Sequence, residues 1–179
     1  MKPYPRVIVT VLVTIIVVLI AEFCIALAIM WWGVVYIGAD RPHPQPIRWY
    51  LDNAMTHSVK RHAQGLRAPA QMPPAAGAFV YENLCVLCHG GPGVEPTFIG
   101  RGLSPHPPPL VRTAKDWTVE EVYWLATHGV GDTGMPSFGA TQEEQELWSV
   151  AYFVKQLPQM TPEEYKKLTA AGVPQGRQP

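Results

Sequence analysis

The chain has 179 residues, and its 14 Lys and Arg residues balance its 14 Asp and Glu residues, so the formal net charge is zero. This length suits one ordinary domain with additional segments, and the neutral charge gives no electrostatic reason to expect nucleic acid as a partner. The 19 prolines favour loop-rich connections over a large regular sheet.

The first long feature is an apolar segment, residues 7–37, which contains a single charged residue, Glu22. About 20 apolar residues cross the hydrocarbon core of a bilayer, so the segment predicts one transmembrane helix. The sequence Ala26-Leu-Ala28 resembles a signal-peptide cleavage site, but the apolar run continues past it and is too long for a signal peptide. We therefore expect a retained membrane anchor.

The charges around this segment bear on its orientation and its neighbours. Lys2 and Arg6 precede it and favour a cytoplasmic N-terminus, whereas Arg41 and Arg48 on the far side favour the opposite. Glu22 lies near the middle, where a carboxyl group is costly in lipid. We expect Glu22 to face a partner helix or a polar cavity.

A Pro-rich linker, residues 38–75, follows the anchor and contains a helical pattern near 47–66. Apolar residues recur there every four positions, at Ile47, Leu51, Met55, Val59 and Ala63. Residues 41–76 carry five Lys and Arg residues and one Asp. This amphipathic helix could lie on anionic lipid, dock on a partner protein, or pack against the acidic residues 77–158. His57 and His62 lie about 140° apart on it and would not bind one metal together.

The most specific motif is Cys85-Val-Leu-Cys88-His89. Such a motif could bind zinc, run a thiol–disulfide cycle or attach a haem. Zinc usually needs a second Cys or His pair, and no second cysteine pair follows. A thiol redox pair belongs at a helix start within a β/α pattern, whereas this motif follows a predicted helix at 76–84. Cys-x-x-Cys-His is the attachment signature of c-type haem, in which the histidine binds the iron.

A second candidate iron ligand, Met135, lies downstream in the sequence GDTGMPSFG, residues 131–139. A thioether is a soft, neutral iron ligand, and His/Met ligation raises the reduction potential of a haem. The flanking glycines allow a backbone to approach a flat cofactor closely, and the following proline stiffens the loop. Other candidate ligands stand in poorer settings: Met72, Met160, His106 and His128.

Three sequences of the form Thr-x-x-Glu predict helix starts. They begin at Thr118, Thr141 and Thr161, and each places a hydroxyl at the N-cap and a glutamate three residues later. Helices are therefore expected to begin near residues 119, 142 and 162. The last of these is short, and we expect it to lie on the surface and to end at Gly172.

Taken together, residues 76–158 resemble a class I monohaem cytochrome c domain. The resemblance is carried by GAFVYENLCVLCHG, by GMPSFG and by the closing segment TQEEQELWSVAYFVKQLP. It implies an all-α fold: a haem c domain tethered by one N-terminal transmembrane helix, with a C-terminal tail at 159–179. It also implies one covalent haem c, attached through Cys85 and Cys88 and ligated by His89 and Met135.

The resemblance implies further contacts. Gly77 would lie where the first and last helices of the domain cross, facing an aromatic side chain such as Tyr152. A backbone carbonyl from residues 105–109 would accept the Nδ1 proton of His89. Arg101 or Trp117 would hold a haem propionate.

The function implied is one-electron transfer without catalysis. Haem attachment in such proteins takes place outside the bacterial cytoplasmic membrane, which would place residues 38–179 in the periplasm and the N-terminus in the cytoplasm. The partners would be the membrane and redox proteins, with no nucleic acid and no small-molecule substrate. We expect the cytochrome c subunit of a membrane oxidoreductase complex; the alternatives are a free tethered shuttle and a haem-based sensor or enzyme.

Overall fold

The computed structural model describes residues 5–171, and this part of the chain is helical, with one isolated β-bridge between Gly91 and Val94. The all-α prediction is confirmed. Two compact units divide at Gly38. The helices are α1 (Pro5–Trp31), α2 (Gln45–His62), α3 (Pro74–Leu84), α4 (Val86–His89), α5 (Phe98–Gly102), α6 (Leu110–Thr113), α7 (Val119–His128), α8 (Glu144–Gln156) and α9 (Pro162–Ala171). Single turns of 3-10 helix occupy Ala114–Asp116 and Leu157–Gln159.

The first unit is built on α1, a helix of 27 residues with a mean hydropathy of 3.0 and no buried side chain. Its length and composition suffice to cross a membrane. The helix ends at Trp31, earlier than the apolar run, because Gly33 adopts a left-handed conformation with φ of 61°. Residues 34–37 then continue outside the helix.

In the second unit, α2 has two unlike halves. Pro46 stands in its first turn, where the missing amide proton costs nothing. Towards its C-terminal end, Val59 and the following Ala63 are buried, with 1% and 6% of their surfaces exposed, and α2 contacts α7 there. Of the three roles considered for this helix, packing against the acidic residues is therefore observed for its second half.

The core is centred on the crossing of α3 and α8. A Cβ atom added to Gly77 would lie 2.3 Å from the Ser149 carbonyl oxygen and 2.7 Å from Phe153 Cβ, so only glycine allows this approach. The prediction that Gly77 faces Tyr152 is wrong by one residue: Phe153 is fully buried at the crossing, whereas Tyr152 is half-buried and donates a hydrogen bond to the Pro69 carbonyl.

Two of the three predicted capping boxes are confirmed. Thr118 and Glu121 cap α7 reciprocally, and Thr161 accepts a hydrogen bond from the Glu164 amide while the Glu164 carboxylate accepts one from the Thr161 amide.

The third predicted start is wrong, because α8 begins at Glu144, with Glu143 as its N-cap and Glu146 completing the box. The amides of Thr141 and Gln142 instead donate to the Phe138 carbonyl, so a turn forms where the helix was expected.

The last helix, α9, lies on the surface of the domain and packs against the core through Tyr165. Tyr165 is 3% exposed, and its ring lies 6.2 Å from those of Tyr81 and Phe153. Its hydroxyl donates a hydrogen bond of 2.7 Å to the Glu82 carboxylate. The expectation of a short surface helix agrees with the structure, because most α9 side chains are exposed, but the burial of Tyr165 was not foreseen. The predicted end at Gly172 lies outside the described residues.

Candidate haem site

The Cys-x-x-Cys-His motif folds as one tight turn that continues α3. Cys85 ends α3, and α4 carries the remaining motif residues. The amides of Cys88 and His89 both donate to the Cys85 carbonyl, over 3.1 and 2.9 Å. Both thiols are free and half-buried. The turn thus brings two thiols and one imidazole together on a short, rigid stretch of backbone.

The environment of Cys85 does not favour a reactive thiolate. Burial, and then the neighbouring Cys88 thiol, raise the pKa of Cys85 to about 12. Reactive cysteines instead have pKa values lowered by positive surroundings or a helix N-terminus. Cys85 therefore stays protonated at neutral pH, and this agrees with the rejection of a thiol–disulfide cycle.

His89 is held in a defined orientation by a distant part of the chain. Its Nδ1 lies 2.8 Å from the Pro108 carbonyl oxygen, which can only accept, so Nδ1 donates and Nε2 keeps its lone pair. The expected carbonyl from residues 105–109 is thereby confirmed as that of Pro108. Burial lowers the pKa of His89, partly opposed by the Pro108 bond, so the imidazole is neutral as metal binding requires.

A short helix that the sequence pattern did not reveal supports the motif turn from outside. A Cβ atom on Gly100 of α5 would lie 2.8 Å from the Cys88 Cα atom. The hydroxyl and the amide of Thr97 both donate to the Leu87 carbonyl, over 2.8 and 3.1 Å. Gly100 is the only sign of this contact in the sequence, but a glycine alone does not indicate which part of the backbone it approaches.

Tyr81 supports the same turn from the core. It is fully buried, and its hydroxyl donates a hydrogen bond of 2.7 Å to the Gly90 carbonyl, directly after the motif. Gly90 has φ of 67°, and a Cβ atom there would lie 2.5 Å from the Val94 carbonyl oxygen. Tyr81 and Gly90 therefore set the path by which the chain leaves His89.

Met135 lies in a loop that is held by hydrogen bonds among its own residues and by bonds from Ser137, Phe138 and Gly139 to the end of α7. The Met135 carbonyl accepts from the Val130 amide over 3.2 Å, and the Met135 amide donates to the Thr133 hydroxyl over 3.1 Å. That hydroxyl donates in turn to the Val130 carbonyl over 2.7 Å. Gly129, with φ of 68°, lets the end of α7 approach the Met135 carbonyl.

The methionine loop also contacts the segment that supports the motif turn. A Cβ atom on Gly134 would lie 2.5 Å from Leu103 Cδ2, and Leu103 directly follows α5. Since Gly100 of the same helix packs on Cys88, one short segment touches both the motif turn and the residue before Met135. Two thiols, a neutral imidazole nitrogen and a half-buried thioether are a donor set that fits haem c.

Comparison with known proteins gives one match. Residues 72–154 match the model of the protein family described as cytochrome c oxidase, cbb3-type, subunit III. This stretch is a c-type cytochrome domain. Its cofactor is haem c and its activity is electron transfer. No curated protein and no solved structure matches the chain.

The other candidate ligands of the cytochrome domain are placed less favourably. Met160 packs against the hydrophobic core at the end of the second 3-10 turn. The His128 ring packs against the Trp124 ring, with 4.7 Å between the ring centroids. His106 is exposed and Met72 is half-buried before α3. Met135 therefore stays the preferred prediction for the second axial ligand.

The two predicted propionate partners differ in their surroundings. The Arg101 guanidinium donates a hydrogen bond of 3.0 Å to the Pro96 carbonyl. Trp117 is half-buried, and its carbonyl accepts a hydrogen bond from Lys155. Lys155 also donates to the Ala114 carbonyl over 2.7 Å, so it ties α8 to the segment before α7.

Proposed function

We propose that the chain is a membrane-tethered one-electron carrier in which Cys85 and Cys88 hold haem c covalently and His89 and Met135 ligate its iron. The observation that carries this proposal is the His89–Pro108 hydrogen bond beside two free thiols. It fixes the imidazole tautomer that leaves Nε2 available. When bound, the haem supplies a one-electron couple between two oxidation states of iron.

The protein's own residues suit a carrier rather than an enzyme. The Pro108 bond orients the His89 ring and raises its basicity as a ligand. The Met135 loop would present a neutral thioether on the other side, which favours the reduced state and leaves no open position for a substrate. A rigid site of this kind changes its charge by one electron without moving a proton or breaking a bond.

We further propose that α1 anchors this carrier in the bacterial cytoplasmic membrane, with the N-terminus in the cytoplasm and the haem domain in the periplasm. Support for the anchor comes from the length and hydropathy of α1. Lys2 and Arg6, which precede the apolar run, favour this orientation, whereas Arg41 and Arg48 oppose it; the attachment of haem c outside the cytoplasmic membrane decides between them. A tether of this kind confines the carrier to the membrane surface, where its effective concentration near membrane-bound redox proteins is high.

The carrier would work as the cytochrome c subunit of a membrane oxidoreductase complex. The matching family is described as an oxidase subunit, which favours this role. Residues 77–158 carry nine Asp and Glu residues against four Lys and Arg residues, so the partner surface near the haem would be basic and its contacts salt-sensitive. The second candidate role is a free tethered shuttle, which uses the same chemistry.

Purification from native membranes in mild detergent tests the proposal. We expect a stoichiometric partner, and a reduced spectrum of a low-spin c-type haem that does not change with carbon monoxide. A monodisperse lone cytochrome would contradict the complex and favour the shuttle. Carbon monoxide binding at neutral pH would contradict the closed ligand set and favour a sensor or enzyme.

A further inference from the structure

We propose that the first half of α2 is a lipid-docking surface, which holds the cytochrome domain against the headgroup region of its own membrane. The surface consists of Ile47, Trp49, Tyr50 and Leu51 and is called here the α2 patch. This inference rests on the anchoring part of the proposed function and is independent of the electron partner.

The α2 patch brings four large, exposed apolar side chains together within five residues. Trp49 and Tyr50 are 67% and 64% exposed, and Ile47 and Leu51 are each 47% exposed. In residues 39–171 the other large apolar side chains with comparable exposure are Leu87, Val94, Phe98 and Ile99, near the motif turn. The α2 patch is thus separate in sequence from the haem site.

The cytochrome domain holds this surface in place through the second half of the same helix. Val59 is 1% exposed in the contact with α7, and the His62 ring stacks on Trp124 with 5.5 Å between centroids. A helix that is fixed at one end presents its other end as a rigid surface. The exposure of the patch is therefore built into the domain and does not reflect a detached helix.

Three properties of the α2 patch favour lipid as its occupant. Trp and Tyr are enriched at the membrane interface, where an apolar ring and a polar tip are both accommodated. Arg48, Lys60 and Arg61 against a single Asp52 leave α2 with an excess of positive charge for anionic headgroups. Residues 32–44 are a short tether, so a membrane-embedded α1 keeps α2 at high effective concentration beside the bilayer.

Release of the domain from its anchor tests this inference. The full-length, haem-loaded protein is reconstituted in vesicles of phosphatidylcholine and phosphatidylglycerol, with a protease site inserted after Gly38. After cleavage, the vesicles are pelleted and the haem absorbance of the pellet is compared with that of the supernatant. We expect the wild-type domain to stay largely on the vesicles, and Trp49→Ser/Tyr50→Ser to reduce the partition coefficient about tenfold or more.

Matched variants distinguish lipid binding through the α2 patch from nonspecific adsorption of the domain to vesicles. Phe98→Ser removes a comparably exposed aromatic ring, 78% exposed, and should leave the partition unchanged. Arg48→Gln should weaken binding to vesicles with phosphatidylglycerol and have little effect on neutral vesicles. Circular dichroism and the haem spectrum establish that each variant is folded.

Three outcomes would overturn the inference. The wild-type domain could leave the lipid vesicles completely, or the wild type and the double variant could be retained equally. Retention on native membranes but not on lipid vesicles would mean that a protein covers the α2 patch. None of these readouts requires a redox partner, so the failure of this inference is distinguishable from the failure of the proposed function.

Discussion

The two sides of the proposed haem site are built in different ways. On the histidine side, defined as the motif turn with the residues that touch it, the contacts come from outside the motif: Tyr81 from α3, Gly100 from α5 and the Pro108 carbonyl. The methionine loop, residues 129–139, combines bonds among Val130, Thr133 and Met135 with bonds to Ala126 and Thr127 at the end of α7. Attachment of the haem should therefore depend on the whole fold, whereas axial ligation by methionine should be adjustable locally.

The largest expected effect is loss of the cofactor on the histidine side. Cys85→Ala with Cys88→Ala should abolish covalent haem, because no thioether can then form at the motif turn. Haem staining after denaturing electrophoresis measures this loss. Cys24→Ala is the matched control, since this cysteine lies in the exposed α1, and it should retain full staining. Haem that stayed covalently attached in the double variant would contradict the assignment.

The next effect is on stability and compares a glycine of the core, which supports α3 and the motif turn after it, with a glycine of the methionine loop. Gly77→Ala should reduce the free energy of unfolding by about 3 kcal/mol, because the new methyl group overlaps the Ser149 carbonyl at the α3–α8 crossing. Gly131→Ala in the methionine loop meets no atom within 4 Å and should be nearly neutral. Denaturant titration in detergent, followed by the haem band, compares them. Equal stabilities would show that the crossing is not critical.

On the other side, Met135→Ala should keep the covalent haem and change its redox properties. Losing the thioether should lower the reduction potential by a substantial part of the roughly 0.8 V range that axial ligation covers. It should also open the iron to carbon monoxide. Redox titration and difference spectroscopy measure both changes. Met72→Ala serves as control and should behave as the wild type; an unchanged potential in Met135→Ala would exclude this ligand.

The histidine side was predictable where local residues carry the information. The motif itself, its haem c and the range of the Pro108 carbonyl follow from spacing and family resemblance. The identity of Phe153 rather than Tyr152 at the crossing could not be predicted. It depends on which face of α8 packs against α3, and contacts between elements that are distant in the sequence decide this. The start of α8 at Glu144, two residues later than expected, was also not predicted. The sequence allows a capping box at either start of α8, at Thr141 or at Glu143. The turn in which Thr141 and Gln142 donate to the Phe138 carbonyl favours the later start.

Long-range packing explains two further contacts that were not expected. The segment of α9 has the cap of a short surface helix, and nothing local shows that Tyr165 fills a space beside Tyr81 and Phe153. Likewise, α5 has too few residues for a helical period, so its contact with Cys88 was not expected. In contrast, the candidate ligand of the methionine loop could be named from GMPSFG, whereas its contact with Leu103 was not expected.

A smaller effect tests whether the methionine loop is held by its own bonds. Thr133→Val removes the hydroxyl that joins Val130 and Met135, which should favour opening of the loop by about 1 kcal/mol. Imidazole should then bind the oxidised iron about fivefold faster. Thr141→Val is the control, because its hydroxyl makes only a 3.4 Å bond to Phe138 and a 3.4 Å bond from Gln142. Equal rates would mean that other contacts close the loop.

The smallest expected effect is a pH dependence at the start of α9, which supports the histidine side through Tyr165. Hydrogen bonds from the Thr161 amide and hydroxyl lower the pKa of Glu164 below its usual 4.5. The folded state therefore favours the carboxylate, and its stabilising contribution is complete above pH 4.5 and is lost as the pH falls through the lower folded-state value. Glu164→Gln should melt slightly below the wild type at neutral pH, and the difference should shrink towards about pH 3. Glu163→Gln is the control, because it removes the same charge one residue earlier. If both variants melt below the wild type by the same amount, or if the difference for Glu164→Gln grows in acid, the Thr161 bonds do not favour the charged form of Glu164.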